Sequence, residues 1–384
     1  MVDAERYIAP AIGSDDLYLA NASAGLMSAP VLDAVIGHLR REAEVGAGEA
    51  AGEASARLEA GYAAAARLIG ADPDEVAMLD SGNRGMQQLI QSVPLSPGDH
   101  VLVDRTCWCG TLDMLRDVKG IVVDVMATDR WGRADVEATR ANLHPATRLV
   151  ILTWCPATAG TVNPAAEIGA LAASIGAWYF VDACQMLGQR PVDVKALGCH
   201  GLTASGRKWL RGPRGTSLLF ASRAFLSETK AYMPDQVGAS RSDARRYEQG
   251  EGYVAGRIGL GVAAEGAQAI GLPRIHDHLS GITAAIRAGL AEVPEVDLIG
   301  QDGDDLSALV TFTLAQRSSI AVGDLLAARG IVINTPLASY SPYDMAARGL
   351  TDVVRVAPQM FTTTADVQRL VKAVAEIALA SPEG

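Results

Sequence analysis

Two apolar segments of the sequence each end in side chains that could do chemistry. The run WYFV at 178–181 is followed by Asp182, and the run LTA at 202–204 is followed by Ser205-Gly-Arg-Lys208. Lysine is scarce, at five of 384 residues, so a lysine between an apolar run and Trp-Leu is conspicuous. An amine that is partly removed from water loses some preference for its charged form, and a neutral amine can form a Schiff base with an aldehyde.

Together the two segments offer the groups that would bind pyridoxal phosphate. Lys208 would react with the aldehyde, Asp182 could pair with a cationic ring nitrogen, and Ser205 and Arg207 suit a phosphate. Taken singly, an acid after a strand more often caps a helix, and Ser-Gly-Arg-Lys is more often a solvated turn. Their joint occurrence, in this order at predicted strand ends, favours the cofactor site.

The elements that must position these residues are short apolar runs that alternate with helical patterns such as 164–175. This alternation predicts an α/β fold: a large, doubly wound, mostly parallel sheet with helices on both faces. Ligands bind such sheets at the carboxyl ends of the strands. The predicted strands lie at 75–80, 100–104, 121–126, 148–153, 178–182, 202–205 and 217–221.

The C-terminal part of the chain has a different pattern. Strand-like segments at 309–314, 331–334 and 353–356 are mixed with helical ones at 321–329 and 365–380, which predicts a smaller α+β domain. We therefore expect a large cofactor-binding domain at 1–275 and a small domain at 276–384, with the N-terminal segment contributing to the small domain.

Composition narrows the classes of partner. The chain has a formal net charge of −11 and a pI of about 5.1, which argues against nucleic acid or an anionic membrane as a partner. The N-terminus lacks the pattern of a signal peptide, and no apolar run reaches the length of a membrane span. Five cysteines are an odd number, so reduced thiols and a cytoplasmic location are expected. No second Cys or His pair accompanies Cys107-Trp-Cys109, so no metal site is predicted.

The sequence resembles the class V aminotransferase family of pyridoxal phosphate enzymes, from LYLANAS at 17–23 to RVAPQMFTT at 355–363. DACQ at 182–185 matches the family's D-x-x-Q, SGRK at 205–208 its S-x-[HR]-K, and GPRG at 212–215 its G-P-x-G. Cysteine desulfurases, isopenicillin N epimerase-like proteins and the C–S lyases of ergothioneine biosynthesis belong to this group. The lysine loop is most similar to that of the ergothioneine-pathway lyases. The resemblance implies the type I pyridoxal phosphate-dependent transferase fold and a homodimer with a shared active site.

The resemblance also assigns roles around the cofactor. Lys208 would hold it as a Schiff base and later move the substrate's Cα proton. Asp182 would keep the ring nitrogen protonated, and Gln185 would hydrogen-bond the ring's phenolic oxygen. Ser205 and Arg207 would bind the phosphate.

Further cofactor and substrate contacts follow from the same resemblance. Gly82, Asn83 and Arg84 take the place of the family's phosphate loop, at a helix N-terminus that suits an anion. Trp108 would stack on the ring, although a tryptophan is often simply part of the core. Arg355 would clamp the substrate carboxylate, the alternative being a salt bridge to a nearby acid. Asn21 would also contact the substrate.

Two departures from the family bear on activity. Glu251 stands where the family usually has a residue that reaches the partner subunit's phosphate, and a carboxylate would repel that phosphate. The stretch 331–343 lacks the cysteine that accepts sulfur in desulfurases, and no cysteine occurs after Cys199.

We therefore expect a lyase that eliminates sulfur from the Cβ of an S-substituted cysteine or its sulfoxide. The alternatives are an amino-acid epimerase and a decarboxylating or deaminating enzyme that acts on a cysteine conjugate in secondary metabolism. A non-catalytic relative of the fold is disfavoured because Lys208 and Asp182 are both present.

Overall fold

The large sheet has seven strands in the order β2-β8-β7-β6-β5-β3-β4 in a computed structural model that describes residues 3–235, 238–300 and 305–380. Every pairing in it is parallel except those of β8, which runs antiparallel to both of its neighbours. The strands are β2 (Val76–Leu79), β3 (His100–Val103), β4 (Val122–Val125), β5 (Thr147–Thr153), β6 (Trp178–Asp182), β7 (Gly201–Ser205) and β8 (Ser217–Ala221).

Both faces of this sheet are covered by packed side chains. Along β5, Val150 and Leu152 belong to the core on one face, and Leu149 and Ile151 to the core on the other. Continuous apolar strands are typical of parallel sheets with helices on both sides, so the predicted α/β, doubly wound fold is confirmed.

The large domain's helices connect the strands and cover the sheet. They are α1 (Ala29–Val45), α2 (Ala47–Glu53), α3 (Ser55–Leu68), α4 (Gly82–Ser92), α5 (Cys109–Arg116), α6 (Val136–Ala141), α7 (Ala165–Ser174), α8 (Val194–Leu197), α9 (Arg223–Glu228) and α10 (Val254–Ile270). The close approach of α10 to α3 requires glycine, because a Cβ on Gly261 would lie 2.6 Å from the Cα of Gly61.

The C-terminal elements form a second, smaller sheet. Strands β9 (Val296–Ile299), β10 (Val310–Leu314) and β12 (Val354–Val356) pair antiparallel, with β10 in the centre. Helices α12 (Ser319–Ala327), α13 (Pro342–Arg348) and α14 (Thr364–Leu379) complete this part.

The N-terminal segment packs with these C-terminal elements. Strand β1 (Leu17–Tyr18) pairs in parallel with β11 (Ile331–Val332), and Leu19 shares an apolar core with Phe312 and Val356. The predicted domain boundary at 275/276 falls inside the long helix α11 (Leu272–Ala291), whose later residues Ile286 and Leu290 belong to that same core.

Two further observations concern the predicted environment of the protein. All five cysteines are free thiols. No helix in the described part of the chain is both long and apolar enough to cross a membrane.

Candidate active site

A cavity of about 210 Å³ lies where three neighbouring parallel strands end. Thr153, Asp182 and Ser205 are the last residues of β5, β6 and β7, and all three line it. The small domain supplies the opposite wall through Tyr340 and Arg355. The sheet therefore brings together residues from segments that are distant in the sequence.

Lys208 reaches this cavity from a tightly held loop after β7. The backbone N–H of Gly206 donates to the carbonyl of Thr216 at 2.9 Å, and that of Gly25 donates to the carbonyl of Arg207 at 2.7 Å. A Cβ on Gly25 would lie 2.4 Å from the carbonyl oxygen of Lys208, so only glycine allows this approach. The lysine is thus presented by a loop with little freedom to move.

The surroundings of Lys208 favour a neutral amine. Burial lowers the pKa of Lys208, and Arg355 and Arg207 add to the lowering, while Cys184 and Asp182 oppose it. A neutral amine is the form that attacks an aldehyde.

Asp182 and Gln185 border the cavity from the turn that follows β6. One carboxylate oxygen of Asp182 accepts a hydrogen bond from the backbone N–H of Cys184 at 2.9 Å. The buried amide of Gln185 accepts from Trp209 Nε1 at 2.8 Å and donates to the carbonyl of Ala22 at 3.1 Å. One N–H of the Gln185 amide is left for a ligand, because an amide nitrogen carries two donors.

A narrow cradle lies at the N-terminus of α4. A Cβ on Gly82 would lie 2.5 Å from Cys184 Sγ and 3.3 Å from Ser205 Oγ. Asn83 and Arg207 also line the cavity, and burial together with Arg214 lowers the pKa of Arg207. Free backbone N–H groups, a hydroxyl and a guanidinium are the donor set that a phosphate requires.

Arg84 lies apart from the other predicted cofactor residues. Its guanidinium donates to Gln87 Oε1 at 3.0 Å, and its side chain lines an adjacent depression that also contains Glu251 and Arg257. Its backbone N–H is taken by Ser81 Oγ, the cap of α4, at 3.2 Å.

Trp108 lines the cavity from the start of α5. Its indole meets the ring of Tyr340 edge-on, with centroids 5.0 Å apart and planes at 64°. The indole therefore lies where a planar ligand in the cavity could contact it.

Arg355 is a small-domain arginine that lines the cavity, and it is 3% exposed. Its Nη1 donates to the carbonyl of Ala157 at 2.9 Å, and its Nη2 donates to Ser23 Oγ at 3.1 Å and to Asn334 Oδ1 at 3.4 Å. Its Nε has no partner, and no carboxylate of the described residues pairs with it. Burial lowers the pKa of Arg355 to about 10. The alternative of a salt bridge to an acid is therefore not observed.

Asn21 is fully buried behind the cavity wall and does not line it. Its Nδ2 donates to the carbonyl of Ala357 at 2.8 Å, which ties the N-terminal segment to the chain after β12. The next two residues, Ala22 and Ser23, do line the cavity.

Several residues of the cavity were not singled out from the sequence. Ser23 lies within the matched stretch 17–23, so the resemblance could have pointed to it. Thr153 ends the predicted strand 148–153, and Tyr340 and Ser341 lie in the stretch 331–343, so the sequence marks their segments but not the residues themselves. Thr106 and Cys155 carry no such signal, because only the folded chain brings them to the cavity.

A lysine amine, a glycine cradle and a phosphate donor set in one cavity of this fold define a pyridoxal phosphate-dependent enzyme. The sequence model of the class V aminotransferase family matches residues 17–370, and the chain belongs to this family, whose members depend on pyridoxal phosphate.

The similar proteins are named for sulfur chemistry. A probable cysteine desulfurase of Halobacterium salinarum is 27% identical over 383 residues, which cover 95% of this chain and 92% of the relative. A cysteine desulfurase of Dickeya dadantii is 31% identical over 72% of this chain and 69% of its own. The solved cysteine desulfurase of Escherichia coli superposes with a TM-score of 0.88 over 99% of both chains, at 22% identity.

Proposed function

We propose that this protein is a lyase that breaks the Cβ–S bond of an S-substituted cysteine or its sulfoxide. One observation carries the proposal: the Lys208 amine and the buried guanidinium of Arg355 line one cavity, and the small domain contributes hydroxyl groups and no thiol to that cavity. An amine and a carboxylate-binding arginine in one cavity are what an α-amino acid substrate needs.

The residues of this cavity would divide the binding of pyridoxal phosphate among them. Gly82, Asn83, Ser205 and Arg207 would hold the phosphate, and Gln185 and Trp108 would contact the ring. Asp182 would hold a proton at the ring nitrogen, and Lys208 would hold the aldehyde carbon. When bound, the cofactor supplies a sink for the negative charge that develops at the substrate's Cα.

The protein groups would then orient the substrate and move its proton. Arg355 would bind the α-carboxylate in a bidentate pair, an arrangement that fixes orientation as well as charge. Lys208 would take the proton from Cα, a role that needs the neutral amine favoured by its burial.

Desulfuration through a protein persulfide is not favoured, although the relatives are named cysteine desulfurases. Such a reaction needs a thiolate that attacks sulfur. Cys155 and Cys184 line the cavity, and burial raises the pKa of each to about 12. Both thiols would therefore stay protonated near neutral pH.

We further propose a cytoplasmic homodimer whose active site is shared between two subunits, as the family resemblance implies. Size-exclusion chromatography with light scattering should give about twice the 40.1 kDa chain mass. A monomer with full activity would contradict the shared site.

The substrate class can be tested by incubating the purified protein with S-substituted cysteines and their sulfoxides, and measuring thiol release and pyruvate. We expect both products from at least one compound. Exchange of the Cα hydrogen with inversion at Cα, and no pyruvate, would identify an epimerase instead.

Lys208→Ala should keep its fold and lose turnover by several orders of magnitude, because the amine both anchors the cofactor and carries the proton. It should also lose the cofactor absorbance near ~420 nm that borohydride abolishes in the wild type. Lys195→Ala, which removes an exposed lysine of α8, is the matched control and should change neither the turnover nor the cofactor absorbance. Retained turnover without added amine would refute the role of Lys208.

A further inference from the structure

The small-domain wall of the cavity carries two hydroxyl groups to which no role has yet been given. Tyr340 and Ser341 both line the cavity, immediately before α13. Ser341 is 1% exposed, and its Oγ has no hydrogen-bond partner among the described residues. A buried hydroxyl without a partner is destabilising, so this group is suited to bind something that enters the cavity.

Among the buried hydroxyl groups of the lining residues that the structure describes, that of Ser341 is the one without a hydrogen-bond partner. Five lining residues use their hydroxyls within the protein: Ser23 with Arg355, Ser81 with the backbone of Arg84, Ser205 with Cys184, Thr106 with Asp104, and Thr216 with the carbonyl of Pro213.

The segment that carries Tyr340 and Ser341 is fixed to the large domain. Asp344, fully buried on α13, accepts hydrogen bonds from Arg105 at 2.8 and 3.0 Å and from Arg348 at 2.8 Å. Arg105 follows β3 in the large domain. The two hydroxyl groups are therefore held on a rigid wall.

Tyr340 also lies close to the groups that would bind the substrate. Its ring contacts Trp108 edge-on, and its phenol interacts electrostatically with both Arg207 and Arg355. The phenol therefore lies beside a residue that would bind the cofactor phosphate and one that would bind the substrate carboxylate.

We propose that Tyr340 and Ser341 form the leaving-group subsite of this enzyme, in which Tyr340 gives its proton to the departing sulfur and Ser341 orients that sulfur by a hydrogen bond. The inference rests on the proposed lyase function. The electron pair of the broken Cβ–S bond goes to sulfur, and the leaving group takes the phenol proton. The proton goes to sulfur when a thioether gives a thiol, and to oxygen when a sulfoxide gives a sulfenic acid. The electron pair of the Cα–H bond forms the Cα–Cβ double bond, and its proton goes to Lys208. Lys208 then gives that proton to solvent, and solvent returns a proton to the phenol.

A series of S-substituted cysteines of similar size, from the 4-nitrophenyl to the benzyl compound, tests this role in the holoenzyme. A thiol that is acidic leaves without a proton, whereas a less acidic thiol needs one. Tyr340→Phe should therefore lower kcat by about 100-fold for the benzyl compound, within the usual range for a general acid. It should lower kcat by no more than about 3-fold for the 4-nitrophenyl compound, whose leaving group needs little help. Ser341→Ala should reduce kcat/KM about 10-fold across the whole series, since a buried hydrogen bond to the substrate is worth roughly 1–1.5 kcal/mol.

Two controls separate this role from a structural one. Tyr343→Phe changes a tyrosine on α13 that is more than a third exposed and does not line the cavity, and it should leave every rate unchanged. In Tyr340→Phe, the cofactor absorbance and the affinity for an α-methyl S-arylcysteine, which has no Cα proton to lose, should stay within twofold of the wild type.

If Tyr340→Phe loses kcat equally for every leaving group, or loses none, Tyr340 is not the proton donor. Thiol release by the wild type would still support the lyase in that case. Failure of the wild type to release a thiol from any of the compounds above would refute the lyase, and this subsite with it.

Discussion

The guanidinium of Arg355 is surrounded by neutral acceptors only. A carbonyl, a hydroxyl and an amide oxygen receive its hydrogen bonds, and its Nε is left without a partner. A buried cation is costly unless an anion offsets it. A substrate carboxylate would supply this missing anion, so its binding would offset the cost of burying the cation.

Replacing this arginine should therefore weaken substrate binding and leave cofactor binding unchanged. We expect Arg355→Ala to raise KM for amino-acid substrates by an amount equivalent to roughly 2–5 kcal/mol, the cost of losing one partner of a buried charged pair. Steady-state kinetics measures the effect. The exposed small-domain residue Arg329 offers a matched control, Arg329→Ala, which should have no effect. An unchanged KM would place the carboxylate site elsewhere.

Asp182 could act on the cofactor or merely order the turn after β6 through its bond to the N–H of Cys184. Asp182→Asn separates the two roles, because an amide oxygen still accepts that bond but cannot stabilise a protonated ring nitrogen. We expect the variant to bind the cofactor and to exchange the substrate's Cα proton at least 100-fold more slowly. NMR in deuterated water measures this exchange. Asp193→Asn at the exposed cap of α8 is the control. Unchanged exchange would reduce Asp182 to a turn residue.

The residues that the sequence predicted and those it missed differ in a physical way. Lys208 and Asp182 follow buried strands, and strand ends can be read from apolar runs. Ser341 reaches the cavity only because α13 is docked onto the large domain, and no local pattern encodes that docking. Arg84 belongs to the predicted phosphate loop, but its side chain lines the adjacent depression and not the cavity.

At the scale of elements, α13 is held by charge rather than by apolar contact alone. Asp344 is buried between Arg105 and Arg348, and those two side chains are about a fifth exposed. Removing one charged side chain of such a cluster leaves the charges of the others uncompensated. The wall of the cavity therefore depends on a single carboxylate.

Asp344→Ala should cost about 3–5 kcal/mol of unfolding free energy, because it strands two guanidinium groups near the domain junction. Urea unfolding measures this value. Asp113→Ala breaks a pair on α5 in which both side chains are mostly exposed, and it should cost less than about 1 kcal/mol. Equal values for the two variants would show that α13 is held by its packing.

Strand positions in the sequence were predicted well, since Trp178–Asp182 and Ser217–Ala221 have the expected bounds. The directions of the strands do not follow from these bounds. β8 runs antiparallel because the loop from β7 is too short for the crossover that parallel neighbours need. β1 was not predicted, because two residues give no periodicity and the pairing partner lies far along the chain.

At the scale of the whole molecule, all five thiols lie in the large domain. Three of them, Cys107, Cys155 and Cys199, are buried, and burial raises the pKa of each. None belongs to the small-domain wall that faces Lys208. We therefore expect turnover in this cavity that does not depend on a thiolate.

A variant with all five cysteines changed to alanine or serine should keep at least about a tenth of the wild-type turnover of an S-substituted cysteine, although lost packing should lower its Tm. Thiol release is the measurement, and cofactor absorbance confirms loading. Changing only Cys109, which does not line the cavity, provides the control. A folded, loaded variant without turnover would assign a thiol to the mechanism.

The pairing of β1 with β11 joins Leu17 to Ile331, more than 300 residues later. The ribosome synthesises Leu17 long before Ile331, so β1 has no strand to pair with while the large sheet assembles. Ala20 and Asn21 then join Ala357 on the far side of β12. We therefore expect the smaller domain to form last during synthesis, and the loss of either β1 or the chain from β11 onward to destabilise that same domain.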